Sequence, residues 1–457
     1  MTDWIPNKNE LSRPYFLALA EHIAQSIVDG CLLPGERLPT HRELAMYTEL
    51  SLQTVTKAYT ELARWGVVKG EVGRGSYVAE PKEIKFPFLM ERTQGDLLDL
   101  SISRPVGGPI HIQRTRQALR KLGKTLGLED VLLFRPSVGM ERHRETGRTW
   151  LRKIGVEATA QRMIITDGAS QALTIALMTA TRPGDHLLTE VFTHHSLIGL
   201  SSSLGLNLGG VATDREGIIP QALDDMCRVG HIAALFLTPT LANPTGMMMP
   251  ETRRREILAV AKKHQLAIIE NDVLGPLPVN RPLPLYSLDS ELVYYVTSFT
   301  KCVMPGLRTG YLVVPKGKEL LAAGKQLSAT WMAAPLMAEL AATWIEDGTA
   351  EELMVWQREA IAQRNQMARE IIGEPVSHIH DHGLHFWIEL PNSWSEEAFV
   401  AAAHQRNVAV APGKGFAVNP AESPPAVRVC LGVERPEQTL AKGLHMLSEL
   451  LKTSPAF

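Results

Sequence analysis

Apolar residues recur at three- and four-residue spacing from Tyr15 to Val28, from His41 to Tyr47 and from Leu52 to Trp65, a pattern that predicts three amphipathic helices. Leu33-Pro34-Gly35 breaks the first from the second, and the Gly-punctuated stretch Gly66–Val78 alternates with the two-residue period of a small hairpin. From Ala79 to Leu98 the periodicity fades, and Pro81, Pro87 and the charged run Lys82-Glu83-Ile84-Lys85 read as a linker. Beyond it, short apolar runs at Met163–Thr166, His186–Thr189, Ala233–Thr238, Ala267–Glu270 and Leu292–Thr297 alternate with helix-like Ser170–Ala180 and Pro250–Lys263. That rhythm predicts a mainly parallel sheet covered by helices. The end of the chain has helical patterns at Ala333–Asp347 and Glu351–Ile372, then strand-like His385–Leu390 and Ala426–Leu431, which predicts a small α+β unit. The expected class is α/β in four stretches: a head 1–78, a linker 79–98, a large domain 99–332 and a C-terminal subdomain 333–457.

Composition narrows the setting. With 457 residues, 45% hydrophobic and 21% charged, the chain can build several cores and is too apolar to stay disordered. No apolar run reaches the ~20 residues of a bilayer span, and Asp3, Lys8 and Glu10 stand where a signal peptide would be apolar. A cytoplasmic protein without a membrane partner is expected. Cys31, Cys227, Cys302 and Cys430 lie far apart and lack metal-type spacing, so neither a disulfide framework nor a metal site is indicated. The net charge of −2 gives no whole-chain attraction for a polyanion, and any case for DNA rests on local pattern.

That pattern lies in the head. Thr40 stands where it can cap the helix from His41, and Ser51 where it can cap the helix from Leu52, with a brief turn between them. Gln53, Thr54 and Thr56 are compact hydrogen-bonding side chains at the first turns of the second of these helices, while Arg42 and Lys57 suit phosphates. Gly73-Arg74-Gly75 is a tight turn that would push one guanidinium outward. The motif from Leu33-Pro34-Gly35-Glu36-Arg37-Leu38-Pro39 to Gly73-Arg74-Gly75-Ser76-Tyr77-Val78 closely resembles the GntR superfamily of winged helix-turn-helix regulators. The resemblance implies operator DNA as a partner, with Arg42, Gln53, Thr54, Thr56, Lys57 and Arg74 as contact residues.

In the body the informative segment is Val296-Thr297-Ser298-Phe299-Thr300-Lys301, continuing through Gly306-Leu307-Arg308-Thr309-Gly310. A lysine at a strand end, flanked by hydroxyls and followed by a guanidinium, can both form a Schiff base with an aldehyde and sit beside a phosphate. Asp167-Gly168-Ala169-Ser170 joins a strand to a helix, so the amides of Ala169 and Ser170 would face an anion. These segments, with Asn243-Pro244-Thr245-Gly246 and Ala426-Val427-Arg428-Val429-Cys430, resemble fold-type I aminotransferases in order and spacing. The resemblance implies pyridoxal 5'-phosphate (PLP) as cofactor, with Lys301 as its anchor and Ser298 and Arg308, more weakly Thr300, on its phosphate. It places Asn243 on the phenolic oxygen, His194 against the ring and Arg428 on a substrate or effector carboxylate. Head and body together resemble the MocR subfamily of GntR regulators, which implies a PLP-dependent transferase fold with a seven-stranded-type sheet and a head-to-tail homodimer.

The pattern departs from that family at Glu270-Asn271-Asp272-Val273-Leu274. Alignment puts Asn271 where an Asp usually pairs with the pyridine nitrogen and Leu274 where a tyrosine usually stands, with Asp272 as a second candidate that strand geometry turns to the other face. Phe134 falls where a hydroxylated residue reaches the neighbouring phosphate. An amide cannot stabilise a protonated pyridinium as a carboxylate does, so the electron sink of transamination would be weakened. The expectation is a regulator whose body senses an amine, an amino acid or PLP by Schiff-base exchange at Lys301; the alternative is an aminotransferase acting on an amino acid.

Overall fold

The computed structural model describes the chain apart from residues 1–3, 9–10, 29–30, 34, 65–66, 72–74, 79–96, 128–131, 133–135, 374–378, 434 and 454–457. Arg74 and Phe134, both singled out above, lie outside the described residues. The chain forms two compact units, Met1–Lys85 and Phe86–Phe457.

The first unit contains α1 (Tyr15–Val28), α2 (His41–Thr48), α3 (Leu52–Arg64) and the antiparallel pair β1 (Val68–Glu71) and β2 (Gly75–Val78). Its core is built from the predicted apolar stripes, with Leu19, Ile23, Leu44, Val55, Ala58 and Leu62 fully buried. Thr40 caps α2 in a reciprocal capping box: Glu43 N donates to Thr40 Oγ1 at 3.3 Å and Thr40 N donates to Glu43 Oε2 at 2.8 Å. At the start of α3, Thr54 N donates to Ser51 Oγ at 3.1 Å.

The second unit opens with β3 (Leu98–Asp99) and is organised by seven strands: β4 (Met163–Thr166), β5 (His186–Glu190), β6 (Asn207–Val211), β9 (Ile232–Leu237), β10 (Ala267–Asn271), β11 (Val293–Ser298) and β12 (Gly310–Val313). The hairpin β7 (Thr213–Asp214) and β8 (Gly217–Ile218) lies beside them in sequence. The sheet order is β4-β12-β11-β10-β9-β5-β6, with β12 antiparallel to both neighbours and the other pairs parallel. Strands β4 and β11 are buried along their whole length, which is why they read as continuous apolar runs. Strand β6 carries no such run, because polar Asn207 and Gly209 and Gly210 interrupt it; β12 does carry one, Tyr311-Leu312-Val313, which is not among the runs singled out above.

Strands β13 (His385–Glu389), β15 (Ala411–Pro412) and β16 (Ala426–Cys430) form the smaller sheet, and β14 (Val408–Ala409) pairs in parallel with β3. Leu98, expected to close the linker, is therefore already in a strand. The late strand β14 thus pairs with a strand from the beginning of the body.

Candidate functional site

A cavity of 410 Å³ lies where the chain leaves the parallel strands: His194 follows β5, Asn243 follows β9, Asn271 ends β10, and Ser298, Thr300 and Lys301 end or follow β11. Strand ends carry ligands in such sheets because side chains and helix N-termini converge there while the strands themselves stay rigid. No Asp or Glu lines this cavity among the described residues.

One end is built for an anion. Gly168, at φ +85, turns the chain from β4 into the helix Ala169–Ala180 and presents that helix's first amides. A Cβ at Gly168 would stand 2.7 Å from Arg308 Nη2 and push on the guanidinium, which donates to Asp167 O at 3.2 Å, while the positive φ itself favours glycine. Ser298 Oγ and Thr300 Oγ1 line the same cavity without a hydrogen-bond partner among the described residues. Buried hydroxyls without partners are costly, and a ligand's oxygens would satisfy them.

Lys301 stands in the middle. Its Nζ donates to the carbonyl of Ser103, and burial, then the nearby guanidinia of Arg428 and Arg308, press its amine down to about 8. Arg428 is 1% exposed and already oriented: Nη1 donates to Asn243 Oδ1 at 2.7 Å, Nη2 to Ser101 O at 2.6 Å, and the guanidinium lies 4.5 Å from the Phe416 ring centre. Burial works against its charge. His194 caps the helix His195–Ser203, its Nδ1 accepting from Ser196 N at 3.3 Å, and stacks on His195 at 4.7 Å. Burial holds its imidazole well below the ordinary range.

The residues that line the cavity from the end of β10 are uncharged. Asn271 is 2% exposed, and its Oδ1 finds no partner among the described residues. Asp272, the other candidate there, does not line the cavity. Its Oδ2 accepts from Arg281 Nη1 at 2.5 Å and from the Tyr295 hydroxyl at 2.7 Å on the opposite side of the chain, as the alternation of an extended backbone requires. Glu270 is turned away too, accepting from Leu285 N and Tyr286 N, each at 2.9 Å. Leu274 is buried in the core.

Lys301, Ala169, Ser170, His194, Asn243, Asn271, Ser298, Thr300, Arg308 and Arg428 are thus brought together, and Asp272 is not. Ser101, Ile102, Ser103 and His195 also line the cavity without having been anticipated. The first three lie far from any recognisable motif; the adjacent His194-His195 pair was the one available signal. The residues fit pyridoxal phosphate: an anion cradle with unsatisfied hydroxyls at one end, a primary amine of lowered basicity beside it, and a buried amide at the other end.

In the head, Arg42, Gln53, Thr56 and Lys57 are exposed on α2 and α3. Thr56 Oγ1 is hydrogen-bonded to His41 Nδ1 at 3.3 Å. The Thr54 hydroxyl is instead engaged with Ser51 Oγ at 2.8 Å, which ties it to the helix cap.

Residues 96–447 match the family Aminotransferase class I and II, and residues 17–78 match Bacterial regulatory proteins, gntR family. This chain belongs to the aminotransferase class I and II family. With the gntR head before that body, it is a transcription regulator of the MocR type. It is 26% identical over 450 residues to the HTH-type transcriptional regulator YdeF of Bacillus subtilis (strain 168), covering 98% of this chain and 96% of that protein. Over 306 residues it is 28% identical to the HTH-type pyridoxine biosynthesis transcriptional regulator PdxR of Corynebacterium glutamicum, covering 65% of each. Among solved structures, LysN, the alpha-aminoadipate aminotransferase of Thermus thermophilus, superposes with a TM-score of 0.69 at 24% identity, covering 78% of this chain and 92% of that one. An archaeal alanine:glyoxylate aminotransferase does so at 0.71 and 21%, covering 78% of this chain and 91% of that one. Both show the fold of the body.

Proposed function

We propose that the body holds pyridoxal 5'-phosphate on Lys301 and uses it to sense an amine or amino acid, changing how the head binds operator DNA. The observation that carries this reading is that an amine of lowered basicity, Lys301, and a buried, pre-oriented guanidinium, Arg428, face one cavity that holds no carboxylate among the described residues. When bound, the cofactor supplies an aldehyde carbon that condenses reversibly with amines. Arg308, Ser298 and the amides of Ala169 and Ser170 would hold its phosphate, and Asn243 and Asn271 would meet its ring. Arg428 would orient a ligand's carboxylate as a bidentate partner. His194 and His195 stay uncharged at neutral pH and close the wall behind it. Exposed Arg42, Gln53, Thr56 and Lys57 would contact DNA, and two copies paired head to tail would match a repeated operator.

A second reading, an aminotransferase, is favoured by Arg428 and by 28% identity over 305 residues to the 2-aminoadipate transaminase of Thermus thermophilus. Asn271 weighs against it, because an amide supports a protonated ring less well than a carboxylate does and so weakens the electron sink that deprotonation at carbon draws on. Visible absorbance of the purified protein, before and after Lys301→Ala, tests the cofactor. Adding the L-amino acids one by one, with keto acid measured alongside operator affinity, then separates the readings. A changed spectrum and changed DNA affinity without keto acid supports sensing; release of one equivalent of keto acid per site, the amino group remaining on the cofactor as pyridoxamine phosphate, with DNA affinity unmoved supports the enzyme.

A further inference from the structure

Ser101–Ser103 follows β3 after Leu100, and β3 is the first described element after residues 79–96, the stretch in which the first unit gives way to the second in sequence. Two carbonyls of this segment are held by the two side chains assigned above to the ligand. Lys301 Nζ donates to Ser103 O, and Arg428 Nη2 donates to Ser101 O. The turn that aims them is closed by Asp99, the last residue of β3. Its Oδ1 accepts from Ser101 N at 2.9 Å and from Ser101 Oγ at 2.6 Å, the bonding pattern by which an aspartate replaces a backbone turn. Downstream the segment is packed tightly as well: a Cβ at Gly432 would stand 1.5 Å from Arg104 O, so the chain passes there only over a glycine. Asp99 itself does not line the cavity.

We propose that Asp99 is a positioning residue for ligand sensing: its turn presents the Ser101 and Ser103 carbonyls to Arg428 and Lys301, so that the segment leading from the head reads the ligand state of both side chains. This rests on the function proposed above. A Lys301 nitrogen joined to the cofactor by a C=N bond carries at most one hydrogen. When a ligand amine takes its place, the C=N bond to lysine breaks as one to the ligand forms. Two hydrogens pass from the ligand nitrogen to Nζ, and no electron is gained or lost. The released amine then has hydrogens to donate to Ser103 O. In the same event a ligand carboxylate competes with Ser101 O for the Arg428 guanidinium. One carbonyl gains a donor while its neighbour two residues away loses one, and these opposite changes within one turn distinguish two local arrangements. Differential contacts of this kind are what coupling between two sites requires.

The test uses the full-length, cofactor-loaded protein, whichever L-amino acid shifts its visible spectrum, and a duplex selected from a random-sequence pool. Three forms are compared: the natural protein, Asp99→Ala and Asp99→Asn, the last keeping an oxygen that accepts both bonds. In the natural protein, ligand should change hydrogen exchange across residues 98–104 about threefold and duplex affinity about tenfold. Asp99→Ala should keep a spectral midpoint within about threefold while losing the change in duplex affinity, and Asp99→Asn should retain it. A full ligand effect on DNA in a folded Asp99→Ala protein would overturn the proposal, as would exchange over 98–104 that ignores a saturating ligand; both leave the sensing function standing. Should Asp99→Ala fail to fold, Asp99→Asn and the exchange measurement on the natural protein still decide it. Absence of any spectral response to amino acids would remove the proposal and the function together.

Discussion

The head and the body place their functional side chains by opposite means. In the head, Arg42, Gln53, Thr56 and Lys57 stand on two helices joined by one turn, and their positions follow from two helix caps and an apolar stripe. In the body, Ser170, His194, Asn243, Asn271, Lys301 and Arg428 come from six separate segments and meet because the strand order β4-β12-β11-β10-β9-β5-β6 brings their ends to one place, with the smaller sheet supplying Arg428. The first arrangement weakens by degrees when a local contact is lost. The second changes character when one residue's chemistry changes.

Asn271→Asp should show the largest effect of that kind. It supplies a carboxylate at the uncharged end of the cavity, so keto acid release from a bound amino acid should rise by at least about tenfold, equivalent to about 1.4 kcal/mol in the barrier. Single-turnover assays read this directly, and unchanged release would mean that the amide is not what restrains turnover. Arg428→Lys keeps the charge but loses the planar fork. Affinity for amino acids, measured by spectral titration, should fall about tenfold to a hundredfold, while simple amines lacking a carboxylate bind as before. Equal losses for both classes would assign Arg428 a purely structural role.

The lysine gives a pH dependence whose sign is fixed. With its amine lowered from 10.5 to about 8, the neutral, nucleophilic form grows with each pH unit up to 8 and levels off above it. Uptake of PLP by cofactor-free protein, followed by stopped-flow absorbance, should therefore rise about tenfold per pH unit well below 8 and flatten near 8–9, where an ordinary lysine would still be climbing. In the head, Thr40→Ala removes a capping box and should cost about 1 kcal/mol of head stability in thermal unfolding, with little effect on the body's spectrum.

This contrast also sets how much was legible beforehand. The head's three helices, its hairpin and the Thr40 and Ser51 caps were readable because each depends on residues a few positions apart. In the body, the lysine and arginine motifs are readable from local sequence, but two of the seven strands are not: β6 carries polar and glycine residues, and nothing local to the short apolar run of β12 marks its antiparallel place between β4 and β11. The turn at Asp99-Ser101 was invisible for a different reason, since its partners Lys301 and Arg428 lie hundreds of residues downstream. Strand alternation did anticipate that Asn271 and Asp272 would face opposite sides; it could not supply Arg281 and Tyr295 as the partners that hold Asp272 there.

Whether amine capture in the body is felt by the head can be read by following visible absorbance and the fluorescence anisotropy of a bound duplex in one titration of the cofactor-loaded protein. The two signals should move together with a common midpoint, and both should vanish in Lys301→Ala while basal duplex binding persists. An absorbance change that saturates while anisotropy stays flat would mean that amine capture does not reach the head.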